Sequence, residues 1–381
     1  MAWGDEGVTK LQYKQDSVTA WGSIGAPKTV LVTKAGIIKN LRMIQGGGAL
    51  TLGAGASASI RGPHNAYSQL ELLANAQQDI FRFSGYGGYI VESVKRGLEK
   101  GLPPRNTSLP SPYSVTDQEY VFDGRDVVAP TSYNGGTANT GWNWSLNLPV
   151  SQVVRSLGGD IGMIPMSTEN AQLQFLFTPY AASVSGTTYT IGIASATDDL
   201  LTPYNSSSST TIAAPTLDLV RIMYEPILNE ADFPDFSFVS QWLEEQPTTF
   251  SGTTFTWKQN QDAGVLARLC FGVYKSTSPF GIGSDLLTSA GALQLSYNTD
   301  IPKFKESALE ALARQRDQLG FDMPQGWYFY DLLGEDLTLS DVLNTYVVPA
   351  IQLQMTYTSI TLNTSINPIV LAQRFLPIRV A

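Results

Sequence analysis

The sequence predicts an all-β protein built as two sandwiches in tandem, with a few short helices. Apolar residues recur at every second position in several runs, which is the period of a half-buried strand. These runs are interrupted by many of the 34 glycines and 21 prolines, and short strands separated by turns read as a sandwich or barrel rather than alternating β and α units. With 381 residues, the chain is long enough for two compact units.

Taken in order, residues 1–25 form an arm that mixes Trp3, Leu11, Tyr13 and Trp21 with Lys10 and Lys14 ahead of the first core strand. Residues 46–48, 53–59 and 85–88 are glycine-rich turns, and a short helix is expected over 89–100, stopped by Gly101. A long loop covers 103–140. Beyond it Trp142, Trp144, Leu146 and Leu148 alternate with Asn143, Ser145 and Asn147. Leu173, Phe175 and Phe177 repeat the pattern, and a second long loop, 180–215, encloses the alternation of Tyr189, Ile191 and Ile193. Loops of that length in a compact domain usually have a job. The run 217–224 is rich in strand formers, and prolines bracket an acidic hinge at 226–234.

In the second half, 266–274 is another β-rich run, and 302–319 is the best helix, with Pro302 near its start and Gly320 as its stop. Ile351, Leu353, Met355 and Tyr357 alternate with Gln352, Gln354 and Thr356 in a closing strand, leaving an apolar tail over 363–381. The predicted organisation is therefore an arm at 1–25, a first sandwich at 26–228, and a second sandwich with its tail at 229–381.

Charge narrows the function. The 24 Lys and Arg against 33 Asp and Glu leave a net charge of -9, which disfavours direct contact with nucleic acid, because such contact needs clustered cations. No stretch approaches the roughly eighteen apolar residues of a membrane span, and no signal-peptide core is evident. A soluble, unprocessed protein is expected, in a compartment where disulfides play no part. The Asn106, Asn143, Asn205 and Asn363 triplets are then never glycosylated.

Little remains for chemistry. Cys270, the only cysteine, lies in an apolar run and reads as a small core residue. His64, the only histidine, reads as a loop or strand-edge residue rather than a general base. Asp198 with Asp199, Glu244 with Glu245, and Asp331, Glu335, Asp336 and Asp341 are the available acids, but adjacent strand residues point to opposite faces. They read as solvated loop acids. The glycine clusters lack the Lys and Ser/Thr of a phosphate loop, and the acids lack calcium-loop spacing. Neither a cofactor, a metal nor an enzymatic activity is expected.

The segment 300–358 resembles the end of the double jelly-roll major capsid proteins of tailless, internal-membrane phages of the tectivirus kind. Its features are the helix 305–318, then Pro324, Gly326, Trp327, Tyr328 and Tyr330, then the long strand 351–357. Weaker echoes run collinearly upstream, in GIIKNLRMI from Gly36, RGPHNAYSQLELL, GYIVESVKRG and LDLVRIMYEPI from Leu217. The resemblance implies two jelly-roll sandwiches per subunit and a homotrimer that acts as a pseudo-hexagonal capsomer of an icosahedral virion. It also implies neighbouring capsomers, penton or minor capsid proteins and an internal viral membrane as partners, with synthesis in the host cytoplasm. One departure is the arm: the family often begins with a long Gln- and Ala-rich helix, which residues 1–25 lack.

Two rival readings stand beside the shell subunit. One is a carbohydrate- or receptor-binding β-sandwich of a phage, with Trp142 and Trp144 as a sugar platform. The other is a glycoside hydrolase using two of the acids. For the shell reading, the expected inter-subunit or membrane-side contacts are Trp3, Tyr13 and Trp21 of the arm and Arg374, Phe375 and Arg379 of the tail. Their apolar groups have no evident place in either sandwich.

Overall fold

The computed structural model describes residues 10–46, 49–53, 56–58, 61–100, 132–133, 138–140, 144–154, 159–166, 172–194, 203–206, 209–225, 236–245, 249–251, 253–259, 264–275, 278–279, 291–297, 301–320, 323, 326–333, 342–348, 350–357 and 366–377. The chain forms two compact units. The first comprises 1–92, 105–151 and 162–236; the second comprises 93–104, 152–161 and 237–381. The second unit therefore takes two segments from the first half of the sequence, which the expected division at 228/229 does not contain.

In the first unit, one antiparallel sheet runs in the order Lys10–Ala20, Thr216–Glu225, Ile37–Gly46 and Trp144–Pro149. A second places Lys28–Leu31, Leu173–Pro179, Tyr67–Ala74 and Gln78–Phe83 side by side. The period-two pattern explains the core. Leu173, Phe175 and Phe177 are buried on one face, as are Leu41 and Met43, which lie opposite Leu148 and Leu146. Phe81 and Phe83 stack at 4.9 Å, with Phe175 at 6.4 Å from Phe81. A third sheet of short strands includes Ser183–Ser185, Thr188–Ala194, Tyr204–Ser206 and Thr210–Ala213, so much of the expected 180–215 loop is sheet. Of the other long loop, the short strands Ser132–Tyr133 and Ala138–Thr140 are described. The hinge at 226–234 and Trp142 lie outside the described residues.

In the second unit, Ile366–Pro377 lies between Phe238–Glu245 and Val265–Lys275. Trp327–Asp331 also pairs with Val265–Lys275. The opposing sheet runs Thr249–Ser251, Thr254–Gln259, Ile351–Thr356, Leu293–Tyr297, Ile301–Glu306. Alternation again fills the core, with Phe255, Trp257, Leu353 and Met355 packed in one cluster with Phe271, Tyr330 and Val370.

Three sequence expectations are corrected. Residues 302–306 are strand, because Phe304 turns inward to stack on Tyr330 at 4.5 Å. The helix spans Ala308–Leu319, opened by a reciprocal Ser307–Glu310 capping box and closed by Gly320 at φ 76°. The other helix spans Gly85–Lys100, so the glycines 85–88 are its first turn and not a loop. Ser84 accepts a hydrogen bond from the Gly87 amide at 3.0 Å, and a Cβ at Gly85 would lie 2.0 Å from the His64 carbonyl oxygen. Finally, the described parts of the arm and the tail are not appendages. Lys10–Ala20 and Ile366–Pro377 are full strands of the two units.

Candidate functional site

Trp144 is interior, edge-on to His64 at 4.7 Å and to Tyr67 at 5.8 Å, so it offers no exposed sugar platform. His64 is buried in a short 3-10 turn, its ring stacked on Tyr89 at 4.6 Å, rather than at a loop surface or strand edge. Cys270 is fully buried, and that burial pushes its thiol up to about 12, with Arg268 pulling down and Asp331 pushing up by smaller amounts.

Among the described residues the candidate acids, Glu244, Glu245 and Asp331, do not form a cleft pair. Asp331 is the last residue of a strand rather than a solvated loop acid, and its Oδ1 lies 3.0 Å from Arg268 Nε. The Arg268 guanidinium also donates to Gln152 Oε1 at 2.7 Å, and the Gln373 amide donates to Ser240 Oγ at 2.9 Å. Gln152 thereby ties the short hairpin Gln152–Val154 and Gly159–Ile161 into the second unit. Glu244 and Glu245 are neighbours on one strand, and Glu245 accepts from Trp257 Nε1 at 2.7 Å. Asp198, Asp199, Glu335, Asp336 and Asp341 lie outside the described residues. Among the described residues no cluster of three or more His, Cys, Asp or Glu could hold a metal ion, and no helix is long and apolar enough to cross a membrane.

The six expected contact residues separate clearly. Trp21 is buried within the first unit, where its Nε1 donates to the Tyr67 hydroxyl at 3.0 Å and Tyr67 donates in turn to Gln45 Oε1. Burial holds the Tyr67 phenol well above its ordinary range. Arg374 is buried too, 2.6 Å from Glu245 and donating twice to Gln259 Oε1, at 3.1 and 2.7 Å. Phe375 packs with Val154, Ile161, Ala267 and Leu333. These three residues serve their own subunit, which corrects the expectation that they meet a neighbour. The reason is that their segments are strand or directly follow one, not free ends. Trp3 and Arg379 lie outside the described residues.

Of the four described members of that set, Tyr13 alone remains at the surface. It sits on the edge strand Lys10–Ala20 beside exposed Leu11 and Val18, with the Arg42 guanidinium 6.0 Å from its ring centroid. On this strand the usual pattern is inverted. Asp16 points inward, its Oδ1 2.7 Å from Arg221 Nε and 3.2 Å from the Thr33 amide, both side chains being buried. The apolar residues are left facing out. The sequence points to Tyr13 but not to Val18, which is even-numbered and reaches the same face only because the ladder slips between Gln15 and Ser17.

No protein-family model matches the chain, and no curated protein is similar to it in sequence. Solved structures are similar. The STIV major capsid protein aligns over 96% of this chain and 96% of its own, with a TM-score of 0.60 and 12% identity. VP54 of PBCV-1, as fitted into a reconstruction of the virophage Sputnik, aligns over 96% and 93%, with a TM-score of 0.59 and 11% identity. A chain from the atomic structure of Sulfolobus Turreted Icosahedral Virus aligns over 96% and 90%, with a TM-score of 0.58 and 10% identity. The fold is thus the double jelly roll, all-β with two helices among the described residues.

Proposed function

We propose that this chain is a major capsid protein, a structural subunit of an icosahedral virion whose activity is assembly. One observation carries the reading: the likeness to the STIV major capsid protein extends over 96% of both chains, so it covers both units and not one common sandwich. Function does not follow from fold alone, but nothing in the described interior competes with it. Arg268, Gln152, Asp331 and Arg374 link strands to one another, and Trp144, half of the supposed sugar platform, is core.

In its finer form, three copies form a pseudo-hexagonal capsomer, since two sandwiches per chain let a threefold assembly fill a sixfold lattice position. Capsomers meet one another and the penton or minor capsid proteins in the virion, after synthesis in the host cytoplasm. The shell encloses an internal membrane, as in the tectivirus-like phages that segment 300–358 resembles. Its role is structural and not catalytic, and the net charge of -9 argues against direct genome contact. Light scattering of the purified protein should give three times the monomer mass, and electron microscopy of virions should place it as the dominant shell protein. A persistent monomer that is absent from particles would overturn the reading.

A further inference from the structure

In the first unit, the hairpin of Tyr67–Ala74 and Gln78–Phe83 combines three features that weaken a hairpin. Its turn holds Ala76 at φ 54°, beside Asn75 at φ 51°, and the left-handed region strains a residue that carries a Cβ. Its ladder slips between Leu72 and Leu73, so the strands pair unevenly just below that turn. Two acids flank the slip. Glu71 lies opposite Arg82, and Asp79 lies opposite Leu73. Arg82 also reaches back to Asp79 at 3.1 Å, which puts all three charged groups on one outward face.

The described neighbours of the acids within that unit are otherwise neutral. Gln69 donates to Glu71 Oε2 at 2.9 Å. The adjoining strand Leu173–Pro179 sets Leu176 beside Glu71, Gln174 beside Leu73 and Thr178 beside Gln69, and Thr29 lies beyond Leu176. Arg82, 49% exposed, is the one cation among these groups, and it serves both acids from a position half in solvent. Charge on Glu71 is therefore only partly offset.

We propose that Glu71 and Asp79 form a proton-operated latch on this hairpin: protonated Glu71 donates to Asp79 and clasps the two strands across the slip, and loss of that proton sets two carboxylates against each other and loosens the tip. Burial raises the Glu71 pKa from its ordinary 4.5, the hydrogen bond to Asp79 and the Asp79 charge raise it further, and Gln69 and Arg82 draw it down by less. A carboxyl that keeps its proton more firmly in the fold than in the opened hairpin stabilises the fold in acid. The gain is complete below the ordinary value and disappears as pH rises through the folded one. The tip is thus held in mildly acidic solution and released toward neutrality, the reverse of a carboxylate in a salt bridge. The device lies within the first unit and does not depend on the capsomer reading.

Hydrogen exchange of the full chain from about pH 4 to about pH 7, corrected for the chemical exchange rate, tests the latch. Relative to Ile351–Thr356 in the second unit, protection of the amides of Tyr67–Ala74 and Gln78–Phe83 should fall roughly threefold over that range. Glu71→Gln keeps a donor for Asp79 at every pH and should hold the hairpin at its acid level throughout. Asp79→Asn removes the repulsion and should flatten the profile too, whereas Arg82→Gln should deepen the fall. Circular dichroism and thermal melting verify that each variant folds, and the wild-type profile decides by itself if one does not. Level wild-type protection across the range, or a fall that Glu71→Gln leaves intact, would show that the pair is no latch.

Discussion

Arg268 and Asp331 form an ion pair of 3.0 Å in which the two side chains are 0% and 2% exposed. Removing one partner of a buried pair leaves the other charge stranded, at a cost of about 3–5 kcal/mol, whereas replacing both with apolar groups often costs little. Asp331→Asn and Arg268→Met should therefore each destabilise the protein strongly in urea unfolding, and Arg268→Met with Asp331→Leu should recover much of the loss. Equal stability of Asp331→Asn and wild type would return Asp331 to the solvated role that its sequence context suggested.

Cys270 gives a prediction in alkali. Its thiol rises from an ordinary value of 9.0 to about 12 on burial. The unfolded chain thus loses its proton first, and the stability contribution, complete below pH 9, declines by about 1.4 kcal/mol per pH unit as pH climbs toward 12. Cys270→Ala should flatten that decline between pH 9 and 10, before the buried tyrosines add their own. A thiol reagent at pH 8 should label native protein only at the rate of unfolding.

Gly85 and Gly320 separate two reasons for glycine. An alanine at 85 drives its Cβ to 2.0 Å from a backbone oxygen, and overpacking of that kind costs about 1–3 kcal/mol. At 320 the space is open but φ is 76°, so alanine should cost only about 1 kcal/mol through backbone strain. Thermal melting of the two variants should rank them in that order.

Truncation before Ile366 should abolish the folded second unit rather than merely impair assembly. Ile366–Pro377 is hydrogen-bonded to strands on both sides, and its loss opens the sheet through its middle. Limited proteolysis should show 237–365 degraded. Survival of a protected fragment from that region would contradict this.

The sequence exposed those strands that have one wet face. Leu173–Pro179 and Ile351–Thr356 alternate cleanly because only one side is buried. Ile366–Pro377 reads as a tail in the sequence because Ile369, Val370, Leu371 and Ala372 are buried in succession, which erases the period of two. Lys10–Ala20 was hidden for the opposite reason: its inward side carries Asp16, answered by Arg221, some two hundred residues away, and no local pattern reports such a partner. The exposure of Tyr13 is legible in the sequence, whereas the interior positions of Trp21, Arg374 and Phe375 depend on partners distant in sequence, namely Tyr67, Gln259 and Val154.

In both units the strand that comes last in sequence sits inside its sheet: Thr216–Glu225 between Lys10–Ala20 and Ile37–Gly46, and Ile366–Pro377 between Phe238–Glu245 and Val265–Lys275. Translation delivers residues at about 5–20 per second, so during synthesis each sheet waits with a gap at its centre until its final strand leaves the ribosome. A polypeptide released before that strand leaves two part-sheets with unpaired inner edges, open to proteolysis and to pairing with other chains. The topology thereby makes closure of each sheet depend on its last-made strand, whatever the stability of the strands that precede it.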